Sequence, residues 1–128
     1  MRLERFHHAA IICSDYAVSK RFYTETLGLT VVREVHRRER DSYKLDLALP
    51  DGAQIELFSF PEPPPRPNSP EAQGLRHLAF ATPDLDEAVR ELESKGVIVE
   101  PVRVDEHTGS RFTFFKDPDG LPLELYED

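Results

Sequence analysis

Apolar and polar positions along the chain change period in the same order in its two halves. Ala9-Ala10-Ile11-Ile12-Cys13 is an apolar run of strand length. Val18, Phe22, Tyr23 and Leu27 then recur at helical spacing, with Ser14 or Asp15 as the N-cap and Gly28 as the stop. Three runs of strand character follow at 30–36, 44–49 and 54–60, and Pro50-Asp51-Gly52 turns the chain between the last two. The second half repeats the order. An apolar stretch follows His77, Asp84 caps a helix carrying Leu85, Ala88, Val89 and Leu92, Gly96 ends it, and strands are predicted at 98–104, 111–116 and 121–126. Both halves read βαβββ, an α+β fold of two tandem modules with modest helical content and antiparallel pairing after each helix.

The repetition extends to individual residues. Phe6-His7-His8 through Ser14-Asp15 aligns with Leu75-Arg76-His77 through Pro83-Asp84, histidine preceding aspartate by seven positions in each. The halves close as Asp51-Gly52-Ala53-Gln54-Ile55-Glu56-Leu57-Phe58 and Asp119-Gly120-Leu121-Pro122-Leu123-Glu124-Leu125-Tyr126. Since 48 positions separate His8 from Glu56 and 47 separate His77 from Glu124, the match spans the whole unit with one net deletion. We therefore expect one domain over residues 1–128, made of a module at 5–60, a linker at 61–74 and a module at 75–127. The linker holds Pro61, Pro63, Pro64, Pro65, Pro67 and Pro70 and favours extended, semi-rigid backbone.

Composition narrows the setting. Hydrophobic residues at 39% and charged residues at 31% describe a globular chain of 128 residues, long enough to bury roughly two-thirds of its unfolded surface. The five-residue apolar run near the start is too short for a signal core or membrane span, and a lone cysteine, Cys13, cannot form an internal disulfide. The expected location is the cytoplasm. A formal net charge of −8 repels phosphate backbones and anionic lipid, so nucleic acid and membrane are not expected partners. The basic stretch Arg33 to Arg40 is interrupted by Glu34 and Glu39 and reads as a solvated strand edge.

Strand alternation identifies candidate chemistry. Glu56 lies between Ile55 and Leu57, and Glu124 between Leu123 and Leu125, each a carboxylate flanked by apolar neighbours on a predicted strand. A lone buried carboxylate is costly unless paired or metal-bound. One histidine on an apolar strand is ordinarily a core residue bonded to a backbone carbonyl, but His8 and His77 recur with their glutamates. If the two sheets face one another about a pseudo-twofold axis, two imidazoles and two carboxylates converge. Such a set suits one divalent ion, Zn²⁺, Ni²⁺, Fe²⁺, Co²⁺ or Mn²⁺; a His–Glu hydrogen-bond network without metal is the other reading. Phe58, Phe60, Phe112, Phe114 and Tyr126 alternate in the manner of a core, with pocket lining as the alternative. Arg37 and Arg111 could face a substrate carboxylate, though solvent exposure is the commoner role. His7, His36 and His107 lack a counterpart in the other half and read as surface residues or supports of the site.

With these residues, Phe22-Tyr23 before Leu27-Gly28 and the closing Asp117-Pro118-Asp119-Gly120, the chain resembles the vicinal oxygen chelate superfamily over nearly its whole length. The order His8, Glu56, His77, Glu124 is similar to that of bacterial glyoxalase I, whereas extradiol dioxygenases keep two histidines and one glutamate. The resemblance implies sheets curved around one divalent metal, Ni²⁺ or Zn²⁺ before Mn²⁺, Co²⁺ or Fe²⁺. It also implies lyase or isomerase chemistry on a small oxo- or hydroxyacyl compound through a metal-bound enediolate. By the same analogy Glu124 is the base, Glu56 its partner, and the assembly a homodimer. Glyoxalase I relatives place an arginine four residues after the first histidine and an asparagine four after the first glutamate to hold glutathione. Here Ile12 and Phe60 stand there. The chain looks closer to glyoxalase-like proteins of unassigned substrate, which share stretches such as Glu-Leu-Phe-Ser-Phe-Pro at 56–61. An Fe²⁺ extradiol-type dioxygenase and a non-catalytic protein that sequesters a ligand are the competing functions.

Overall fold

A computed structural model describes all residues, 1–128, as two compact units, Met1–Pro65 and Arg66–Asp128. The division falls within the proline-rich segment. Each unit is a βαβββ module with one mixed four-stranded sheet.

In the first unit, β1 (His8–Cys13) leads to α1 (Tyr16–Arg21), then β2 (Thr30–Arg37), β3 (Ser42–Ala48) and β4 (Gln54–Ser59). The sheet order is β1-β4-β3-β2, with β1 parallel to β4 and the other pairs antiparallel. Asp15 begins α1 in extended geometry, its carboxylate accepting from the Val18 N–H at 3.2 Å, and so satisfies a donor that the first helical turn leaves open. Alternation divides the sheet. Ile11, Cys13, Leu45, Leu47, Ile55 and Leu57 point to one face and are buried with Tyr23 beneath α1, which touches β4. Each large side chain removed from water there contributes about 1.5–3 kcal/mol. The opposite face carries His8, Ala10, Gln54, Glu56 and Phe58 and is only partly covered.

The second unit repeats the plan with β5 (Leu78–Thr82), α2 (Leu85–Ser94), β6 (Arg103–Val104), β7 (Arg111–Lys116) and β8 (Pro122–Glu127), in the order β5-β8-β7-β6. Asp84 caps α2 by accepting from Glu87 N–H at 2.9 Å. Leu85, Leu92, Thr113, Phe115, Leu123 and Leu125 form its buried side. Between β7 and β8 the Asp117 carboxylate accepts from the N–H groups of Asp119 and Leu121, each at 2.9 Å, and Gly120 adopts φ +83°. A side chain at that φ would strain the turn.

Two expectations are corrected. The helix predicted to run regularly to Leu27 is α-helical only to Arg21 and then widens into a π-helical turn, Phe22–Thr26, which keeps Tyr23 wholly buried. The strand predicted at 98–104 shrinks to Arg103–Val104. Pro101 has no N–H to donate, and the chain before it hydrogen-bonds to β7 through Glu100, whose N–H donates to Phe114 O and whose carbonyl accepts from Thr113 Oγ1.

Candidate functional site

The open face of each sheet holds one of the duplicated His–Glu pairs. Glu56 is the cross-strand neighbour of Ala10 on β1 and of Asp46 on β3, so its side chain shares a face with His8 at the start of β1. His8 Nε2 lies 3.5 Å from Glu56 Oε2. The other His8 nitrogen, Nδ1, is 2.8 Å from His7 Nδ1, which fixes the ring and leaves Nε2 directed at the glutamate. The second unit reproduces the register: Glu124 is the neighbour of Ala79 and Phe114, and His77, one residue ahead of β5, brings Nε2 within 2.9 Å of Glu124 Oε2. Phe114 holds that imidazole edge to face at 5.0 Å. Both glutamate side chains are mostly shielded, at 15% and 12% exposure, while the histidines keep more contact with solvent.

The structure thus brings together His8 with Glu56 and His77 with Glu124. No group of three or more His, Cys, Asp or Glu side chains able to hold a metal occurs in the chain. Each pair offers an imidazole nitrogen and a carboxylate oxygen close enough to bind the same ion, which is half of a four-ligand set.

The surroundings of the two pairs differ. On the first sheet Asp46, nearly buried, accepts from Lys44 Nζ at 2.7 Å, and Lys44 also approaches Glu56 Oε1 at 3.7 Å. On the second sheet the corresponding neighbour of the glutamate is Phe114. Phe58, Phe60, Phe112, Phe114 and Tyr126 are half-buried on or beside the open faces, apart from the fully buried residues beneath the helices, and Phe114 lines a cavity. Each sheet also holds a guanidinium over two of these rings. Arg37 sits 5.0 Å from the Phe58 centroid and 5.6 Å from Phe60, and Arg103 sits 5.1 Å from Phe112 and 5.6 Å from Phe114. Within the second unit a cavity of about 550 Å³ opens beside His77, walled by the 66–76 segment with Glu100, Arg103 and Phe114.

Arg111 is not a substrate anchor. It lies on the helix side of β7 and binds Glu127 through Nε and Nη2 at 3.0 and 2.8 Å, and Asp86 at 3.2 and 3.3 Å. These bonds hold the guanidinium more strongly protonated than usual and keep Glu127 below the usual carboxylate range. His107 is exposed in a loop and His36 stacks on Tyr43 at 4.4 Å, away from both pairs. Lys44, Asp46 and Arg103 were not identified as candidates in the sequence. Leu45-Asp46-Leu47 has the apolar–acid–apolar pattern that marks Glu56, but its counterpart is Phe114, so comparison of the halves passes over it.

Duplicated βαβββ modules, each with a mixed four-stranded sheet and a His–Glu pair beside aromatic rings, define a glyoxalase-like fold. The chain belongs to the Glyoxalase/Bleomycin resistance protein/Dioxygenase superfamily, whose model matches residues 5–125. It is 61% identical to the uncharacterized protein YwkD of Bacillus subtilis, over 99% of both chains. With the uncharacterized protein YaeR of Escherichia coli it shares 62% identity, covering 98% of this chain and 97% of that one. Its structure is similar to that of a glyoxalase family protein from Enterococcus faecalis, at TM-score 0.92 and 49% identity over 99% and 100% of the two chains. More distant likenesses are the trypanothione-dependent glyoxalase I of Leishmania major, at TM-score 0.74 and 26% identity over 98% and 87%, and TnmS3, an antibiotic binding protein from Streptomyces, at 0.74 and 28% over 99% and 98%. No helix is long and apolar enough to cross a membrane.

Proposed function

We propose that the protein is a divalent-metal-dependent lyase or isomerase of the glyoxalase type, acting on a small oxo- or hydroxyacyl compound in the cytoplasm. The observation that carries this reading is the recurrence, at equivalent register on both sheets, of a shielded glutamate beside a histidine nitrogen. His8, Glu56, His77 and Glu124 would hold one ion, Ni²⁺ or Zn²⁺ first, with Mn²⁺, Co²⁺ or Fe²⁺ suited to the same donors. The ion supplies Lewis acidity that stabilises negative charge developing on a substrate oxygen. Glu124 takes the proton from the adjacent C–H as the bonding pair moves toward the carbonyl, and returns it to the neighbouring carbon. Glu56 is its partner, with Lys44 beside its second oxygen. The likeness to the Leishmania glyoxalase I supports this class of chemistry. Ile12, 56% exposed, and Phe60 occupy the positions of the glutathione anchors in glyoxalase I relatives, which argues for a substrate other than a glutathione conjugate.

Elemental analysis of protein purified without chelator tests the metal. About one ion per chain is expected, lost in His77→Ala; no metal after reconstitution would remove the reading. Glu124→Gln should lower turnover of a responsive oxo-acid or thiohemiacetal by about 10²–10⁴-fold with an unchanged melting curve. Unchanged turnover would reject Glu124 as the base. A second reading, non-catalytic sequestration of a ligand, draws support from the half-exposed aromatic faces and the likeness to TnmS3. A stable chain that takes up an organic ligand but no metal would favour it.

A further inference from the structure

Arg37 is the cation on the open face of the first sheet whose charge the protein leaves unmatched while fixing its position. Register pairs Arg37 with Ser42, which places it on the face shared by Lys44, Asp46, Phe58 and Glu56. Lys44 is committed to Asp46 and Glu56, and Arg33 is exposed. Arg37 is half-buried and enters none of the ion pairs of the chain. One nitrogen, Nη2, donates to Ser42 Oγ at 2.9 Å, and Nε is buried without a hydrogen-bond partner. The rings of Phe58 and Phe60 support the guanidinium. A guanidinium carries five N–H donors in a rigid fork, and burying them unpaired is costly. With Nε enclosed, aromatic support and the remaining Nη N–H donors make a preorganised seat for a planar carboxylate.

We infer that Arg37 binds a carboxylate of the ligand, so that the substrate is a dianion or carries an acid remote from its reacting end. This deepens the function proposed above, because it takes the reacting end to lie at His8 and Glu56. Glu56 and Phe58 are two residues apart on β4, about 7 Å along the strand. Since the guanidinium sits over Phe58 and Phe60 rather than beside Glu56, several bonds separate the oxo group of the ligand from its remote acid, as in a medium-length 2-oxodicarboxylate.

The experiment compares 2-oxoadipate with 2-oxohexanoate, which has the same number of carbons with a methyl in place of the remote carboxylate. Both are titrated into the full chain, with and without added Zn²⁺, by calorimetry and by the NMR signal of the Arg37 Nε–H. 2-Oxoadipate should bind more tightly and shift that signal in the wild type, and 2-oxohexanoate should not shift it. Arg37→Gln should weaken 2-oxoadipate at least about tenfold while changing 2-oxohexanoate less than about twofold, and Arg37→Lys, which keeps the charge but not the fork, should fall between. Equal affinity for the two acids, an unmoved Nε–H, no binding of either acid, or full affinity in a folded Arg37→Gln chain would overturn the inference. Failure of the chain to take up any metal while the Arg37 response persists would remove the lyase reading and leave the carboxylate seat standing. Metal uptake without an Arg37 response would do the reverse.

Discussion

At the scale of single residues, the two arginines that the sequence offers as carboxylate anchors have opposite fates. Arg111 is spent on Glu127 and Asp86, and Glu127 also accepts from Leu85 N–H at 3.1 Å, so the cluster ties the start of α2 to β7 and β8. Arg111 is the main cause of the lowered Glu127 pKa, and Lys20, then Tyr16, lower that of Glu34 in the first module. A carboxylate whose folded-state pKa is depressed adds stability above its unfolded pKa and loses it as pH falls through the folded value. The melting temperature should therefore drop as pH falls from neutral through and below the ordinary glutamate range, and Glu127→Gln should flatten part of that drop. A variant with an unchanged acid limb would show that the Arg111 cluster does not contribute. Nothing in the order of residues separates Arg37 from Arg111; only the register, which turns one toward each face, does so. Asp46 shows the complementary limit, since its apolar neighbours were visible but its role depends on Lys44 lying two residues back on the same strand face.

Among the elements, those specified by side-chain chemistry local to the chain were legible. Asp15 and Asp84 cap the helices where the sequence places caps, and Asp84→Ala should cost about 1 kcal/mol in a denaturant melt. Leu57, fully buried on the helix side of β4, should cost about 2–5 kcal/mol as alanine, and a loss below 1 kcal/mol would place it outside the core. The errors fall where backbone hydrogen bonding departs from periodicity. Side-chain spacing cannot distinguish an α-helical from a π-helical turn at Phe22–Thr26, because both bury Tyr23. Nor does the apolar pattern at 98–104 register that Pro101 withholds a ladder donor, although the proline itself was in plain sight. For the aromatics on β4, β7 and β8, alternation reports that two faces differ, without telling which face the helix covers.

For the molecule as a whole, duplication makes the architecture readable: two spacings between histidine and glutamate that differ by one position mark two equivalent sheets, and the sheets then place each pair on an open face. What duplication leaves open is which copies of the modules combine to complete a ligand set. Two donors do not fill the coordination shell of Zn²⁺ or Ni²⁺ and each module supplies one His–Glu pair, so a full set draws on two modules, and for the homodimer expected from the family resemblance we propose that the two belong to different chains. Sedimentation at micromolar concentration should then report a dimer. His8→Ala and His77→Ala, each defective in metal binding alone, should regain it when unfolded together and refolded as a mixture. A hybrid dimer in which module one of each chain pairs with module two of the other has one site carrying both defects and one site with neither. If one chain supplied all four ligands, every site in the mixture would keep a defect and no metal would return. A monomer that still binds metal would reject both the pooled site and the dimer that it requires.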